Sequence, residues 1–144
     1  MNTAVAFFSR TGNTKKIAQA IAEAACCTAQ DIAAFDVQDT IDLLFIGGAI
    51  YGGALEPSLA EFIARLNPEK IGRAAVFSTS ASKTRYGVAV NLIRNALKDR
   101  GIPTADDSFC CRGKFLFMGR KHPNDADLGD AKQFAVSMTG RYSQ

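Results

Sequence analysis

Short apolar runs recur along the chain, and each predicts a strand that is buried on both faces of a sheet. The predicted strands are Thr3–Phe8, Ala29–Ala33, Leu43–Gly48, Ala74–Phe77 and Ser108–Cys111, the last of which can resume at Phe115–Met118. Between them lie longer stretches in which apolar residues recur at the spacing of one helix face. The alternation of the two patterns is typical of an α/β protein with a parallel sheet.

The helical pattern is clear in four places. The predicted helices span Thr14–Ala25, a segment that opens at Pro57 and carries Leu59 to Leu66, Val88–Arg100, and Asp125–Arg141. The Phe35–Thr40 segment is too short for a full crossover helix. We therefore predict one domain, residues 1–144, built as a doubly wound, five-stranded parallel sheet with helices on both faces.

Composition narrows the class of protein. The chain has 144 residues, of which 47% are hydrophobic, and this balance is typical of a globular domain. It contains no apolar run of about 18 residues and no basic, then apolar, N-terminal segment, so we expect a cytoplasmic protein without a membrane span. The net charge of +3 is dispersed along the chain, which argues against nucleic-acid binding. We expect a monomer or a weak dimer.

Several residues could suggest other chemistry. The cysteines form two adjacent pairs, Cys26-Cys27 and Cys110-Cys111, without the spacing of zinc ligands. We interpret them as small buried apolar residues, with a redox dithiol as the alternative. His122 is the only histidine and has no partner typical of catalysis. The aspartates that recur every third residue from position 36 to 42 favour a solvated edge over a metal site.

The polar segment after the first strand is the strongest candidate site. In a doubly wound sheet, ligands bind beyond the carboxyl ends of strands, where the strand order reverses. A strand-to-helix turn there has neutral hydroxyl and amide donors and a glycine that tolerates a positive φ, features that suit a phosphate. An ordinary turn of the same composition is the alternative. The segment consists of Ser9, Arg10, Thr11, Gly12, Asn13 and Thr14.

Other phosphate-binding motifs are absent from the sequence. It contains neither the GxGxxG fingerprint of dinucleotide-binding proteins nor the GxxxxGK[ST] loop of nucleotide triphosphatases. The turn also lacks a cysteine that could serve as a phosphatase nucleophile.

Two further segments follow the third and fourth predicted strands. The first is rich in glycine and includes one aromatic residue, which suits the close approach of a flat ring; its candidate residues are Ala49, Ile50, Tyr51, Gly52 and Gly53. The second is rich in hydroxyl groups and ends in another aromatic residue; its candidate residues are Ser78, Thr79, Ser80, Ser82 and Tyr86. Polar or glycine-rich segments at all three ligand positions indicate one shared site.

With these motifs (FFSRTGNT, GGAIYGG and FSTSASKTRYG), the chain resembles the flavodoxins over nearly its whole length. The resemblance implies FMN as the cofactor and a strand order of 2-1-3-4-5. It also implies that the first segment holds the 5′-phosphate and that the other two hold the isoalloxazine, with Gly52 or Gly53 facing flavin N5. Either tyrosine, or both, could stack on the ring. The uninterrupted fifth strand indicates the short-chain type.

The resemblance implies an electron-transfer protein that shuttles electrons between a reductase and an acceptor enzyme, with no catalytic side chain. One alternative is a flavin-dependent reductase that uses NAD(P)H and a quinone. Another is an activator subunit of a metalloenzyme such as class Ib ribonucleotide reductase, whose flavodoxin-like partner shares the SRTGNT-like start. A flavodoxin-fold module that has lost FMN is the fourth interpretation.

The charge of this chain departs from the acidic pattern of flavodoxins. Arg10 lies within the first segment, Lys83 and Arg85 lie in the third, and the chain has no tryptophan. A basic rim near the flavin favours redox partners with an acidic docking face. Solvated surface charges unrelated to partners are the alternative.

We predict that the second reduction potential of the bound flavin lies above that of a typical acidic flavodoxin. Nearby cations stabilise the fully reduced, anionic flavin, by on the order of 50–100 mV for each exposed charge. Potentiometry of the purified protein tests this prediction, and a strongly negative second potential would contradict it.

Overall fold

The computed structural model describes residues 1–51, 53–80, 86–112 and 123–143. Its strands are β1 (Thr3–Phe7), β2 (Ala29–Asp31), β3 (Leu43–Tyr51), β4 (Ala54–Leu55), β5 (Ala74–Ser80) and β6 (Thr104–Arg112). Its helices are α1 (Asn13–Ala24), α2 (Pro57–Arg65), α3 (Tyr86–Asp99) and α4 (Asp125–Tyr142), with a short 3₁₀ helix at Pro68–Lys70. Strands and helices thus alternate along the chain as the apolar pattern predicts.

The sheet has the order β2-β1-β3-β5-β6, and all of these strands are parallel. β4 is an additional short strand that pairs antiparallel with the end of β3. The predicted doubly wound sheet and its strand order are therefore confirmed, with β5 and β6 as the fourth and fifth parallel strands. The β4 hairpin is an addition that the apolar pattern did not indicate.

Each face of the sheet has its own apolar layer. α1 and α4 cover one face, where Val5, Phe45 and Phe77 lie buried. The other face packs α2 and α3 against residues that include Leu44 and Ile46. Because the strands are buried on both faces, they read as continuous apolar runs rather than as alternating ones.

The segment between β2 and β3 crosses the sheet without a helix. Phe35 contacts the ring of Phe62 edge-on, with ring centroids 5.6 Å apart. Ile41 then forms an isolated parallel bridge with Ile71 before β3 begins. The expectation that this segment is too short for a crossover helix is confirmed.

Several predicted boundaries were wrong. β2 ends at Asp31 rather than Ala33, because a turn stabilised by the Asp31 carboxylate follows. β6 begins at Thr104, earlier than Ser108, and includes exposed aspartates of an edge strand. β3 and β5 run past their predicted ends to Tyr51 and Ser80. The predicted resumption of the last strand at 115–118 lies outside the described residues.

Across the described residues, no helix combines the length and the apolar character that spanning a membrane requires.

We predict opposite effects for two glycine-to-alanine substitutions. A Cβ on Gly47 in β3 would overlap the ring of Phe77, so Gly47→Ala should destabilise the fold by about 1–3 kcal/mol. Gly129 lies exposed within α4, with open space where its Cβ would be, so Gly129→Ala should stabilise the fold by up to about 1 kcal/mol. Urea unfolding of the two variants measures both effects. Equal stabilities of the two variants would contradict the close packing of Gly47 against the Phe77 ring.

Candidate functional site

The turn between β1 and α1 is closed by its own backbone and by Ser9. Gly12 adopts a left-handed conformation, with φ of 92°, which glycine reaches without strain. Its N–H donates to the Ser9 hydroxyl oxygen at 3.0 Å, and its carbonyl accepts from the Lys16 N–H at 3.1 Å. The Ser9 hydroxyl therefore accepts within the turn and keeps its own proton for another acceptor.

The N-terminus of α1 carries the partial positive charge of the helix dipole. The helix N-cap is Gly12, which has no side chain to accept the first amides, and the first turn contains no acidic residue. Amides at a helix N-terminus attract anions, because the helix dipole and the N–H groups point the same way. A phosphate fits this set of neutral donors.

The residues of this turn lie at different depths. Arg10 and Thr11 are exposed, whereas Ser9, Gly12 and Asn13 are half-buried. Thr14 is buried, and its hydroxyl lies 2.8 Å from that of Thr79 in β5. One end of the turn therefore faces solvent while the other end is tied to the sheet.

The glycine-rich segment forms the β3–β4 hairpin. Ile50 pairs with Leu55 and Tyr51 pairs with Ala54, so positions 52 and 53 connect the two strands. Gly53 has a φ of 78° and open space around the position of a Cβ. Ala49 and Ile50 are half-exposed, and Gly52 lies outside the described residues. Gly53 is exposed, so a flat ligand can approach the backbone closely at this position.

Glu56 directly follows β4 and caps α2, and the sequence patterns did not single it out. The residue is nearly buried, and its carboxylate accepts from the N–H groups of Ser58 at 2.7 Å and Leu59 at 3.2 Å. A carboxylate at the N-cap of α2 stabilises the helix start. The signal was present in the sequence, since an acidic residue directly precedes Pro57.

The third segment starts inside the sheet rather than in a loop. Ser78, Thr79 and Ser80 are buried residues of β5, contrary to the expectation that this strand ends at Phe77. The Ser78 hydroxyl donates to the Gly48 carbonyl at 2.6 Å. Tyr86 begins α3, and Ser82, Lys83 and Arg85 lie outside the described residues. The hydroxyls of Ser78 and Thr79 thus have partners within the protein.

The Cys110-Cys111 pair lies beside these residues in β6, with Cys110 opposite Ser78 and Cys111 opposite Thr79. Burial raises the pKa of the Cys110 thiol to about 12, although hydrogen bonds to Cys111 and Ser78 partly oppose the shift. Burial also raises the pKa of the Cys111 thiol, and the nearby Asp127 carboxylate adds to the effect. Both thiols are free and protonated at neutral pH, which supports their interpretation as packing residues.

The described parts of the three segments meet at one edge of the sheet. β1 pairs with β3 up to Phe7 and Gly47, and β3 pairs with β5 up to Ala49 and Thr79. The β1–α1 turn, the β3–β4 hairpin and the end of β5 are therefore neighbours, as the sequence predicts. Among the residues that the structure describes, no cluster of three or more potential ligands suits a metal ion.

The flavodoxin domain model matches residues 4–117, which is most of the chain. The chain belongs to the flavodoxin domain family. FMN is the cofactor of this family, and the donor set of the β1–α1 turn and the open space at Gly53 fit its phosphate and its flat ring.

Similar proteins extend over nearly the whole chain. An uncharacterized protein of Methanocaldococcus jannaschii is 28% identical over 136 residues, covering 88% of this chain and 89% of its own. Oxidised flavodoxin 1 from Bacillus cereus has a TM-score of 0.73 at 21% identity and covers 96% of this chain and 98% of its own. A flavodoxin from the domain Archaea has a TM-score of 0.71 at 17% identity, with full coverage of both chains. At these identities the solved structures support the flavodoxin fold.

We predict that the thiols of this flavodoxin differ sharply in reactivity. The interpretation of Cys26 as a buried residue was wrong: Cys26 is exposed, so iodoacetamide should modify it in the native protein. Because their thiolates are disfavoured by burial, Cys110 and Cys111 should react only after unfolding in urea. Peptide mapping by mass spectrometry measures the order. Reversible formation of a Cys110–Cys111 disulfide in the native protein would show that the pair is a redox dithiol instead.

Proposed function

We propose that this chain is an FMN-dependent electron carrier that shuttles electrons between a reductase and an acceptor enzyme. The observation that carries the proposal is the β1–α1 turn, where a left-handed glycine exposes helix amides beside hydroxyl donors at a strand-order switch. When bound, FMN supplies one- and two-electron chemistry, and the protein supplies binding, orientation and electrostatics. Residues 1–144 act as one FMN-binding domain with no catalytic side chain.

In this proposal the β1–α1 turn holds the 5′-phosphate. The Ser9 hydroxyl oxygen accepts from the Gly12 N–H, and the hydroxyl proton can be donated to a phosphate oxygen. The amides of the first turn of α1 add donors without a competing carboxylate. Arg10 is exposed and adds positive charge at the rim. The full phosphate set is Ser9, Arg10, Thr11, Gly12, Asn13 and Thr14.

The β3–β4 hairpin and the end of β5 hold the ring in the same proposal. Gly53 lies at an exposed tip with a positive φ, where backbone can approach the ring edge. Tyr51 and Tyr86 stand at the ends of the two ring segments. The remaining proposed residues are Ala49, Ile50, Gly52, Ser78, Thr79, Ser80 and Ser82, of which Ser78 and Thr79 support the site from within the sheet.

Flavodoxins are electron carriers that work with redox partner proteins. For this chain we propose partners with an acidic docking face, since the net charge is +3 and Arg10 is exposed in the β1–α1 turn. We also propose a cytoplasmic protein that works as a monomer or a weak dimer, without binding nucleic acid or a membrane.

We predict that the purified apoprotein binds one FMN and acquires a flavin absorption band in the visible region. Ser9→Ala removes a hydroxyl donor to a dianion, so it should weaken FMN binding by about 10–100-fold, equivalent to about 1.5–3 kcal/mol. It should leave the affinity for riboflavin, which has no phosphate, nearly unchanged. Ser58→Ala at an exposed position of α2 is the control. Equal losses for FMN and riboflavin would place Ser9 outside the phosphate site.

Steady-state kinetics distinguish an electron carrier from an enzyme that itself reduces a quinone. The carrier should accept electrons from a flavodoxin reductase and pass them to an acceptor protein, with negligible steady-state turnover of NAD(P)H and a quinone when no partner is added. Rapid turnover without a partner would favour the reductase function instead.

A further inference from the structure

A buried pair of hydroxyls joins the β1–α1 turn to strand β5. The Thr14 and Thr79 hydroxyl oxygens lie 2.8 Å apart, although the residues are 65 positions apart in the chain. Thr14 is 2% exposed and Thr79 is 3% exposed. A hydrogen bond shielded from water in this way resists exchange with solvent and restricts the motion of both elements.

Packing alone does not account for a hydroxyl at position 79. The same face of β5 carries Ala75 and Phe77, which are wholly buried in the apolar layer beneath α1 and α4. Valine has nearly the shape of threonine and avoids the cost of burying a hydroxyl group. We therefore attribute the hydroxyl at position 79 to its hydrogen bond with Thr14.

The position of Thr14 indicates what the hydrogen bond with Thr79 stabilises. Thr14 is the second residue of α1, directly after Asn13 and the left-handed Gly12, so its backbone belongs to the first turn, whose amides have no partner within the helix. The Ser9–Gly12 hydrogen bond closes the turn on its solvent side. The Thr14–Thr79 hydrogen bond attaches the same turn to β5 on its buried side.

We propose that Thr79 is a positioning residue for the FMN phosphate, acting through Thr14. Its hydroxyl holds the first turn of α1 against β5, so that the amides and hydroxyls of the turn already converge before the phosphate arrives. Such preorganisation raises affinity because less freedom is lost on binding. This inference rests on the proposed FMN function. It means that a residue of β5, the strand that leads to the proposed ring site, raises the affinity for the phosphate.

The experiment compares Thr79→Val with Thr79→Ser in titrations of the apoprotein with FMN and with riboflavin. Thr79→Val should weaken FMN binding by about tenfold and change riboflavin binding by less than about twofold. Thr79→Ser keeps the hydroxyl and should retain FMN affinity within about twofold. Thr139→Val is the matched control, because the Thr139 hydroxyl donates within α4, to the Val136 carbonyl at 3.1 Å.

A second readout does not require the flavin. Inorganic phosphate should raise the melting temperature of the wild-type apoprotein and of Thr79→Ser, but much less that of Thr79→Val. Circular dichroism confirms that each variant is folded. If Thr79→Val does not fold, Thr79→Ala removes the same hydroxyl with a smaller side chain and is tested in the same way.

Each outcome has a definite meaning. Unchanged FMN affinity in Thr79→Val, equal losses for FMN and riboflavin, or a Thr79→Ser variant as weak as Thr79→Val would each overturn the positioning role. A wild-type apoprotein that binds no FMN would overturn the proposed function and this inference together. A selective loss of FMN and phosphate binding that serine rescues supports the inference.

Discussion

Parallel pairing of β1 with both β2 and β3 is the constraint on which the site depends. The connection through α1 leaves β1 over one face of the sheet and returns to β2 on one side. The connection through α2 leaves β3 over the other face and proceeds to β5 on the opposite side. The two connections part at this point, and the carboxyl ends of the strands at such a switch point are where doubly wound folds bind ligands. The register of β1 and β3, with Phe7 opposite Gly47, then sets the β1–α1 turn beside the segment that leads to the hairpin tip.

Gly47 and Gly48 of β3 allow neighbouring side chains to pack closely beside the site, but they lower the stability of the strand itself. Gly47 leaves room for the ring of Phe77 on one face, and Gly48 leaves room for Leu59 on the other. Glycine weakens a strand interior, because it loses more conformational freedom on folding and has no side chain to pack. Here large side chains from neighbouring elements fill the space, and the Ser78 hydroxyl donates to the Gly48 carbonyl. The two ends of the hairpin are thereby attached to rigid parts of the fold, through β3 and through the Glu56 cap of α2.

The sequence predicted those features that depend on neighbouring residues. Apolar runs and helical spacing located the parallel strands and the helices, and the polar segments after three strands located the proposed site. The features it missed depend on residues far apart in the chain or on the edge of the sheet. Nothing local shows that β5 continues through Ser78–Ser80, because hydroxyl residues read as a loop until their buried partners are known. Likewise, the apolar pattern placed the start of β6 too late, because Asp106 and Asp107 are charged residues that an edge strand can expose.

Affinity for a phosphate in the proposed site depends more on rigidity than on surface charge. The turn has no lysine, and its one cationic side chain, Arg10, is exposed, where Coulomb attraction is weakened by water and salt. Neutral donors hold a dianion well only when they converge in advance, since each bond is modest and ordering the turn costs free energy. The contacts with Ser9 and Thr79 supply that order from the two sides of the turn. In the proposed site, neutral donors therefore contribute more to phosphate affinity than the exposed Arg10 does, and the basic surface is left mainly to match a partner.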